Sequence, residues 1–330
     1  MRKIGDPLTT EGKGSTNIQS RRAKSFGYQV LGFGSGGGPV PGFTIATGGD
    51  TTITDGDYKV HVFTGPGTFT VDQAGNAPDF PGDPLAGPNT SEYLVVAGGG
   101  GCRVAGGGGG GFRTSYPGTP LQVAITAQGY PITVGAVNSD SVFDTITSAG
   151  GGYGSHYTGC ASTPADAGGS GGGGGMAGGT PRAGGAGDTP PTVPPQGNPG
   201  GNSNTSPSIT GGGGGGGGAT GTNAPYNSGG PGGAGVGIAD AFFGPTAPSY
   251  GEAGPAGRYF SGGGGGSYHG SSPDNSPAGG IGGGGNGGYA PVICATGGTI
   301  NTGGGGGAMV NAPYGQNGGS GIVFIRYKFQ

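Results

Sequence analysis

GGGGGGGG at residues 211–218 is the longest of seven glycine tracts, the others lying at 98–101, 106–111, 171–175, 262–266, 282–285 and 303–307. A glycine tract has no side chains and buries nothing apolar of its own. Ordering it costs more backbone entropy than ordering any other sequence. Read alone, such a run is a flexible linker. What flanks the tracts argues otherwise. YLVVA at 93–97 is a short continuous apolar run, the pattern of a strand buried on both faces, and it leads straight into the first tract. Beyond the last tract comes IVFIRYKF at 322–329, again strongly β-prone. If these two strands share one sheet, the glycine region leaves and re-enters the same β-module and is a closed excursion.

One ordered state suits near-pure glycine. In a polyproline-II-like rod each residue rises ~3.1 Å, with three residues per turn and no internal hydrogen bonds. Every amide and carbonyl then points outward, and rods packed side by side bond to one another. Only glycine lets the axes approach that closely, and Cα–H···O contacts add modestly. Each backbone group finds a partner, which replaces the missing apolar core. The seven tracts would span roughly 12–25 Å each on that rise. They are expected to form a small bundle, with the intervening segments as loops at its two ends.

Composition narrows the class. Of 330 residues, 95 are Gly and 28 are Pro, with no strict three-residue period, so a collagen helix is excluded. Only 9% are charged, which sets the chain apart from ordinary disordered proteins. The first 24 residues hold six basic and two acidic side chains, leaving seven basic and fourteen acidic for the rest. A basic arm therefore precedes a weakly acidic body. The N-terminus lacks the apolar segment of a signal peptide, and no apolar run approaches the ~20 residues of a membrane span. The expectation is a protein made and kept in a cytoplasm or released by lysis. Cys102, Cys160 and Cys294 are too few and too scattered for a disulfide framework or a zinc site, and the odd count leaves a free thiol.

Three regions are expected: an anchoring arm over 1–42, a β-module over 43–149 with 320–330, and a glycine-rich body with variable loops over 150–319. In the arm, Arg21, Arg22 and Lys24 precede Phe26 and Tyr28, which suits an extended peptide laid on another protein. A frayed terminus and a thin nucleic-acid-binding stripe are the other readings of the same residues. In the β-module, Tyr58, Val60 and Val62 alternate with Lys59, His61 and Phe63, the period of a half-buried strand with His61 on its exposed face. A turn at 65–67 and a return strand through Phe69 and Val71 complete an expected hairpin, and Asp55-Gly56 marks an earlier tight turn. Further short strands are expected over 121–134 and 142–146. After Ala149 regular patterning disappears. No helix is expected anywhere, because Gly and Pro interrupt every window. The fold class is mainly β and irregular: a small sandwich-like module carrying packed polyglycine-II rods.

Three segments carry a family resemblance: KVHVFTGPGTFTV at 59–71, EYLVVAGGGG at 92–101 and GGSGIVFIRYKF at 318–329. Together with LQVAITAQGYPITVGAVNSDSVFDTITSAGGG at 121–152, they resemble the glycine-rich domain of bacteriophage virion proteins, especially tail fibres and adhesins. The resemblance covers about 50–330 and says little about the arm. It implies packed polyglycine-II rods with distal loops that contact host-surface polysaccharide or protein. It also implies a virion location, after assembly in the host cytoplasm. The chain departs from an adhesin tip in having no heptads and no β-helical shaft, which raises a purely structural place on the capsid or collar. A homo-oligomer, with a trimer as one form, fits fibres in general, although no repeat here fixes a threefold axis.

No catalytic constellation is visible. His61, His156 and His269 stand apart without nearby ligand or triad partners. The many Gly-x-Gly-x-x-Gly matches neither follow a strand nor open a helix, and no tract continues into Gly-Lys-Ser/Thr. No enzyme activity, cofactor, metal, nucleic-acid or membrane partner is expected. RNA binding is the weakest reading, since the chain has no Arg-Gly-Gly repeat. Aromatics and histidines between the tracts are the candidate receptor contacts: Tyr153, His156, Tyr157, Tyr226, Phe242, Phe243, Tyr250, Tyr259, Phe260, Tyr268 and His269. Tyr in particular offers rigid amphipathic area at low entropy cost. The competing reading is that these aromatics plug the bundle ends or pack subunit contacts. Arg21, Arg22, Lys24, Phe26 and Tyr28 are the candidate anchoring residues.

Overall fold

The computed structural model describes residues 40–117, 121–158, 161–176, 180–205, 209–269, 276–288, 294–310 and 315–330. The candidate anchoring residues Arg21, Arg22, Lys24, Phe26 and Tyr28 lie outside the described residues. Residues 42–330 make one compact unit. The strands in chain order are β1 (Ile45–Thr47), β2 (Thr51–Asp55), β3 (Tyr58–Phe63), β4 (Gly67–Gln73), β5 (Thr90–Val96), β6 (Phe112–Thr114), β7 (Val123–Ala124) and β8 (Gly129–Thr133). They continue with β9 (Ser141–Phe143), β10 (Ile146–Ser148), β11 (Tyr157–Thr158), β12 (Ala161–Ser162), β13 (Val236–Ile238), β14 (Glu252–Gly254), β15 (Gly257–Phe260) and β16 (Ile322–Lys328). The fold is mainly β, and the only helical turns among the described residues are two 3₁₀ stretches, Asp240–Phe242 and Gly244–Ser249. Apart from these short turns the described residues hold no helix, in line with the expected mainly β and irregular class.

β16 lies at the centre of one sheet, ordered β2-β3-β16-β5-β6, with β7 pairing the start of β5. It pairs antiparallel with β5, Ile322 opposite Val96 and Phe324 opposite Leu94. The two apolar strands that bracket the glycine region therefore do share one sheet. A second antiparallel sheet runs β1-β4-β8-β9-β10. Between the sheets lies one apolar layer, in which Phe63, Tyr93, Val95, Val323, Ile325 and Tyr327 meet Phe69, Val71, Tyr130, Ile132 and Phe143.

The expected hairpin across 65–67 is not formed. β3 already has a partner on each side, β2 through the Asp55-Gly56 turn and β16 from the far end of the chain. The chain instead crosses at 64–66 to the second sheet, where β4 pairs with β1 and β8. His61 is a further correction, since it is only 1% exposed. Its face of β3 also carries Phe63 and points into the layer between the sheets, whereas Val60 and Val62 face the other way. There the His61 ring stacks on Tyr327 and meets Phe69 edge-on. Nδ1 lies 2.6 Å from the Gly48 carbonyl and Nε2 lies 3.2 Å from the Tyr327 hydroxyl. A proton on Nδ1 and a lone pair on Nε2 satisfy both contacts. Burial pushes the imidazole pKa below its ordinary value.

The β5–β16 sheet is apolar on both faces, so it needs a second cover. Glycine rods cannot supply one. The segment 236–260 does: β13, β15 and β14 form a small sheet, and Phe242, Phe243 and Phe260 pack with Ile238 and Ala247 onto Val60, Val62, Leu94, Val96, Ile322 and Phe324. Phe243 meets Phe324 at 5.0 Å between ring centroids. A stretch placed by sequence in the glycine-rich body thus completes the second core of the β-module.

The glycine tracts bond to one another, not to themselves. Along 106–111 the amide donors change partner with a strict period of three. Gly106 and Gly109 donate to Gly212 and Gly215, Gly107 and Gly110 to Gly306 and Gly303, and Gly108 and Gly111 to Gly152 and Ala149. The carbonyls repeat the pattern toward three further segments: Gly106 and Gly109 accept from Gly173 and Ser170, Gly107 from Gly264, and Gly108 and Gly111 from Gly100 and Ala97. The rod at 106–111 is therefore surrounded by six others. A threefold rod is the geometry that turns successive amides by a third of a circle.

The tract 211–217 is surrounded in the same way. Its donors reach 261–267, 171–174 and 219–222, and its acceptors serve 230–233, 106–109 and 198–201. A Cβ built on Gly214 would fall on the Gly107 carbonyl oxygen, and one on Gly106 would fall on that of Gly264. This close approach is what only glycine permits.

The bundle is larger than seven tracts. Segments that contain other residues, such as 149–154, 197–203, 219–224 and 229–235, are also rods and not loops. They lie on the outside, and on two of them residues other than glycine recur three apart at the less buried positions. Pro199 and Asn202 are exposed on one such rod while Gly200 and Gly201 are buried; on another, Pro231 is exposed and Ala234 half-buried while Gly230 and Gly233 are buried.

Candidate functional site

The strands fix which end of the bundle is which. Val96 and Phe112, in β5 and β6, hold one end of the rods 97–101 and 106–111 against the sandwich, so the connection Cys102–Ala105 lies at the far end. Gly106 bonds to Gly212, Gly211 bonds to Ser267 and Gly230 bonds to Gly211. This chain of contacts places the start of rod 211–217, the end of rod 261–267 and the start of rod 229–235 at that same far end.

Five candidate residues gather there. Tyr226 lies between the rods 219–224 and 229–235 and is 62% exposed. His269 follows the rod 261–267 and is exposed, its amide donating to the Ile209 carbonyl. Tyr268 beside it is buried. His156 follows the rod 149–154, whose Gly154 bonds to Gly101, and its Nε2 accepts from the Arg103 guanidinium. Partial burial and the Arg103 charge hold the His156 pKa below the ordinary value, so the ring is neutral at pH 7. Tyr157 lies on β11, next to His156.

The structure moves most of the other candidates away from any receptor-facing surface. Phe242, Phe243 and Phe260 are fully buried in the second core. Tyr250 is half-buried against Phe243 and Phe324, and Tyr259 is half-buried on β15. The cause is the apolar second face of the β5–β16 sheet, which only side chains can cover. A signal was present in the sequence: VGIADAFF at 236–243 and RYF at 258–260 are dense in apolar residues, unlike the glycine segments around them.

Tyr153 belongs to a different surface. It is 39% exposed on the flank of the bundle, and its ring lies against Gly101, where a Cβ would strike it. It borders an open cleft of ≈ 360 Å³ whose floor is the backbone of the rod 149–153. Asn138 and Asp140, from the turn between β8 and β9, form one wall, and Asp166 and Ala167 form another. Asn138 sits in the left-handed region (φ 59°), which Asn tolerates better than most residues. Its amide donates to the Gly151 carbonyl at 2.8 Å and accepts from the Gly101 amide at 3.1 Å. Asp140 accepts the Gly150 amide at 2.8 Å. Asp166 donates its own amide to the Tyr153 carbonyl at 2.9 Å and leaves its carboxylate in solvent. The sequence did not single out Asn138, Asp140 or Asp166, because only rod packing brings residues so far apart together.

Among the described residues no cluster of three His, Cys, Asp or Glu side chains is placed to hold a metal ion. Cys102 is buried, bonds to the Gly307 carbonyl, and has its thiol pKa pushed up to about 12 by burial; Cys294 is exposed. Among the same residues no helix is long and apolar enough to cross a membrane.

No curated protein and no solved structure matches the chain. A family model described as a glycine-rich domain matches residues 79–328. That span takes in β5, β16, every rod between them and the 236–260 cover, and the chain belongs to the glycine-rich domain family.

Proposed function

We propose that the chain is a non-enzymatic structural protein of a bacteriophage virion that binds the host surface, docked on the particle through residues 1–42. The resemblance of the segments 59–71, 92–101 and 318–329 to phage virion domains supports the location. One observation carries the binding role: the rods end, away from the sandwich, in a surface that holds Tyr226 and His269 in solvent. Rods bonded sideways to several neighbours are stiff, so the loops they carry are held in fixed relative positions. Preorganised loops lose less entropy on binding. Presented by a scaffold that does not depend on loop sequence, such loops are free to vary. A tail fibre or adhesin uses a surface of this kind.

The test uses the full chain and bacterial cells of the infected host. Saturable binding is expected, with Tyr226→Ser and His269→Ser together weakening it by tenfold or more. Absence of saturable binding by the native chain would leave a role in the capsid, collar or tail and remove the receptor reading. Deleting residues 1–33 should leave the 42–330 unit folded and abolish incorporation into particles. Normal incorporation of that deletion would sink the anchoring role.

A further inference from the structure

We propose that the flank cleft bordered by Asn138, Asp140, Tyr153 and Asp166 binds a neutral, hydroxyl-rich sugar unit of a surface polysaccharide. The proposal rests on the host-surface reading and names a second contact point, beside the bundle and not at its end.

The cleft's chemistry selects the ligand class. At ≈ 360 Å³ it falls within the range of ligand pockets, ~300–1,000 Å³. Its apolar lining is limited to the Tyr153 ring, Pro190 and two alanines among backbone and carboxylates, so a wholly apolar ligand would find little to bury against. No Lys, Arg or His lines it, and two carboxylates do. A phosphate, sulfate or carboxylate ligand would meet repulsion there. A bare cation would find Asp140 already engaged by the Gly150 amide. A neutral sugar fits what remains. Its C–H face can lie on the exposed part of the Tyr153 ring, and its hydroxyls can donate to the Asp166 carboxylate and to the free oxygen of Asp140. Hydrogen bonds to a charged acceptor are the stronger kind.

The cleft is also preformed. Tyr153 is seated on Gly101, and Asn138 ties the β8–β9 turn to two rods by bonds to Gly101 and Gly151. The wall opposite is fixed by the bond from the Asp166 amide to the Tyr153 carbonyl. The Asp166 carboxylate is the one wall group left to be ordered by a ligand, which keeps the entropic cost of binding low. The cleft is open along the flank, so a sugar within a longer chain can enter without an end.

Saturation-transfer NMR on the full chain tests this, with a panel of neutral di- and trisaccharides of hexoses and N-acetylhexosamines. At least one is expected to bind, and its sulfated counterpart is not. Tyr153→Ala and Asp166→Asn should each weaken binding by roughly tenfold, the effect of losing one stacking or charged contact. Ile300→Ser, at an exposed turn elsewhere, should leave it unchanged. Asp166 is exposed, so its variant keeps the fold and guards against misreading an unfolded Tyr153 variant. If no neutral saccharide binds at millimolar concentration, or if Asp166→Asn binds as the native chain does, the proposal fails. Host-cell binding that persists undiminished in both cleft variants would overturn the cleft alone and leave the far-end reading standing. Sugar binding without any host-cell binding would do the reverse.

Discussion

His61 shows what a single residue's surroundings decide. Its neighbours Lys59 and Tyr58 made an alternating strand with one polar face look reasonable. Phe63, two residues on, was the contrary signal, because a solvent-facing row seldom carries a Phe beside its His. In the structure that row faces the apolar layer between the sheets, and the His61 ring is held neutral between Gly48 and Tyr327. Its pKa is lowered on folding, chiefly by burial. The folded state therefore takes up this proton less readily than the unfolded chain does. The stabilisation is complete above the unfolded value of about 6.5 and is lost as pH falls through it toward the lower folded value. Urea midpoints between pH 7.5 and 5 should fall for the native chain, by at most about 1.4 kcal/mol per pH unit from this one group. His61→Phe should be less stable at pH 7.5 but lose this part of the slope, His156 and His269 remaining in both proteins. Equal slopes in the two would mean that His61 is not buried neutral.

At the scale of the rod, pure tracts were legible and mixed ones were not. A rod surrounded by six neighbours needs glycine at every position, and 106–111 and 211–217 announce this. An outer rod needs glycine only where it faces inward. The segments GNPGGNS at 197–203 and GGPGGAG at 229–235 satisfy that with Pro199, Asn202, Pro231 and Ala234 spaced by three, which in sequence looks like loop composition. The outward residues have a second effect. Pro199 and Pro231 remove an amide that would otherwise be an open donor at the bundle's edge, much as Pro blunts an edge strand. Two substitutions to the same residue separate the positions. Gly214→Val drives a side chain onto the Gly107 carbonyl, where only backbone could give way. Overpacking of this kind costs about 1–3 kcal/mol or more, and β-branching adds nothing to relieve it. Ala234→Val adds its two methyl groups at a half-exposed position on the bundle's edge and should cost clearly less, under about 1 kcal/mol. Thermal midpoints compare the two directly. Comparable losses at both sites would contradict the inward–outward rule.

For the whole molecule, the pairing of β5 with β16 was readable because two continuous apolar runs bracketed the glycine excursion. Which chain segment covers the second face of their sheet was not. A both-faces-buried strand demands two covers but names neither, and Phe242, Phe243 and Phe260 are distant in sequence from the strands they cover. The flank cleft was beyond reach for the same reason, since Tyr153 and Asp166 meet only through the order in which the rods pack. The result is a molecule stabilised in two different ways: apolar layers on both faces of one sheet, and beyond them a body held by backbone hydrogen bonds. These differ in heat capacity. Exposing apolar surface on unfolding raises it, while exposing peptide groups lowers it. An ordinary domain gains about 12–15 cal/mol/K per residue. Calorimetry of the full chain should therefore give a clearly smaller value per residue, below about 10 cal/mol/K on the same scale. The 42–330 unit should still melt cooperatively, because the 236–260 cover joins the rods to the sheet at their near end. An ordinary heat-capacity change would mean that apolar burial, and not the rod lattice, carries the body. Two separated transitions would mean that the shared second core is too weak to couple lattice and sandwich.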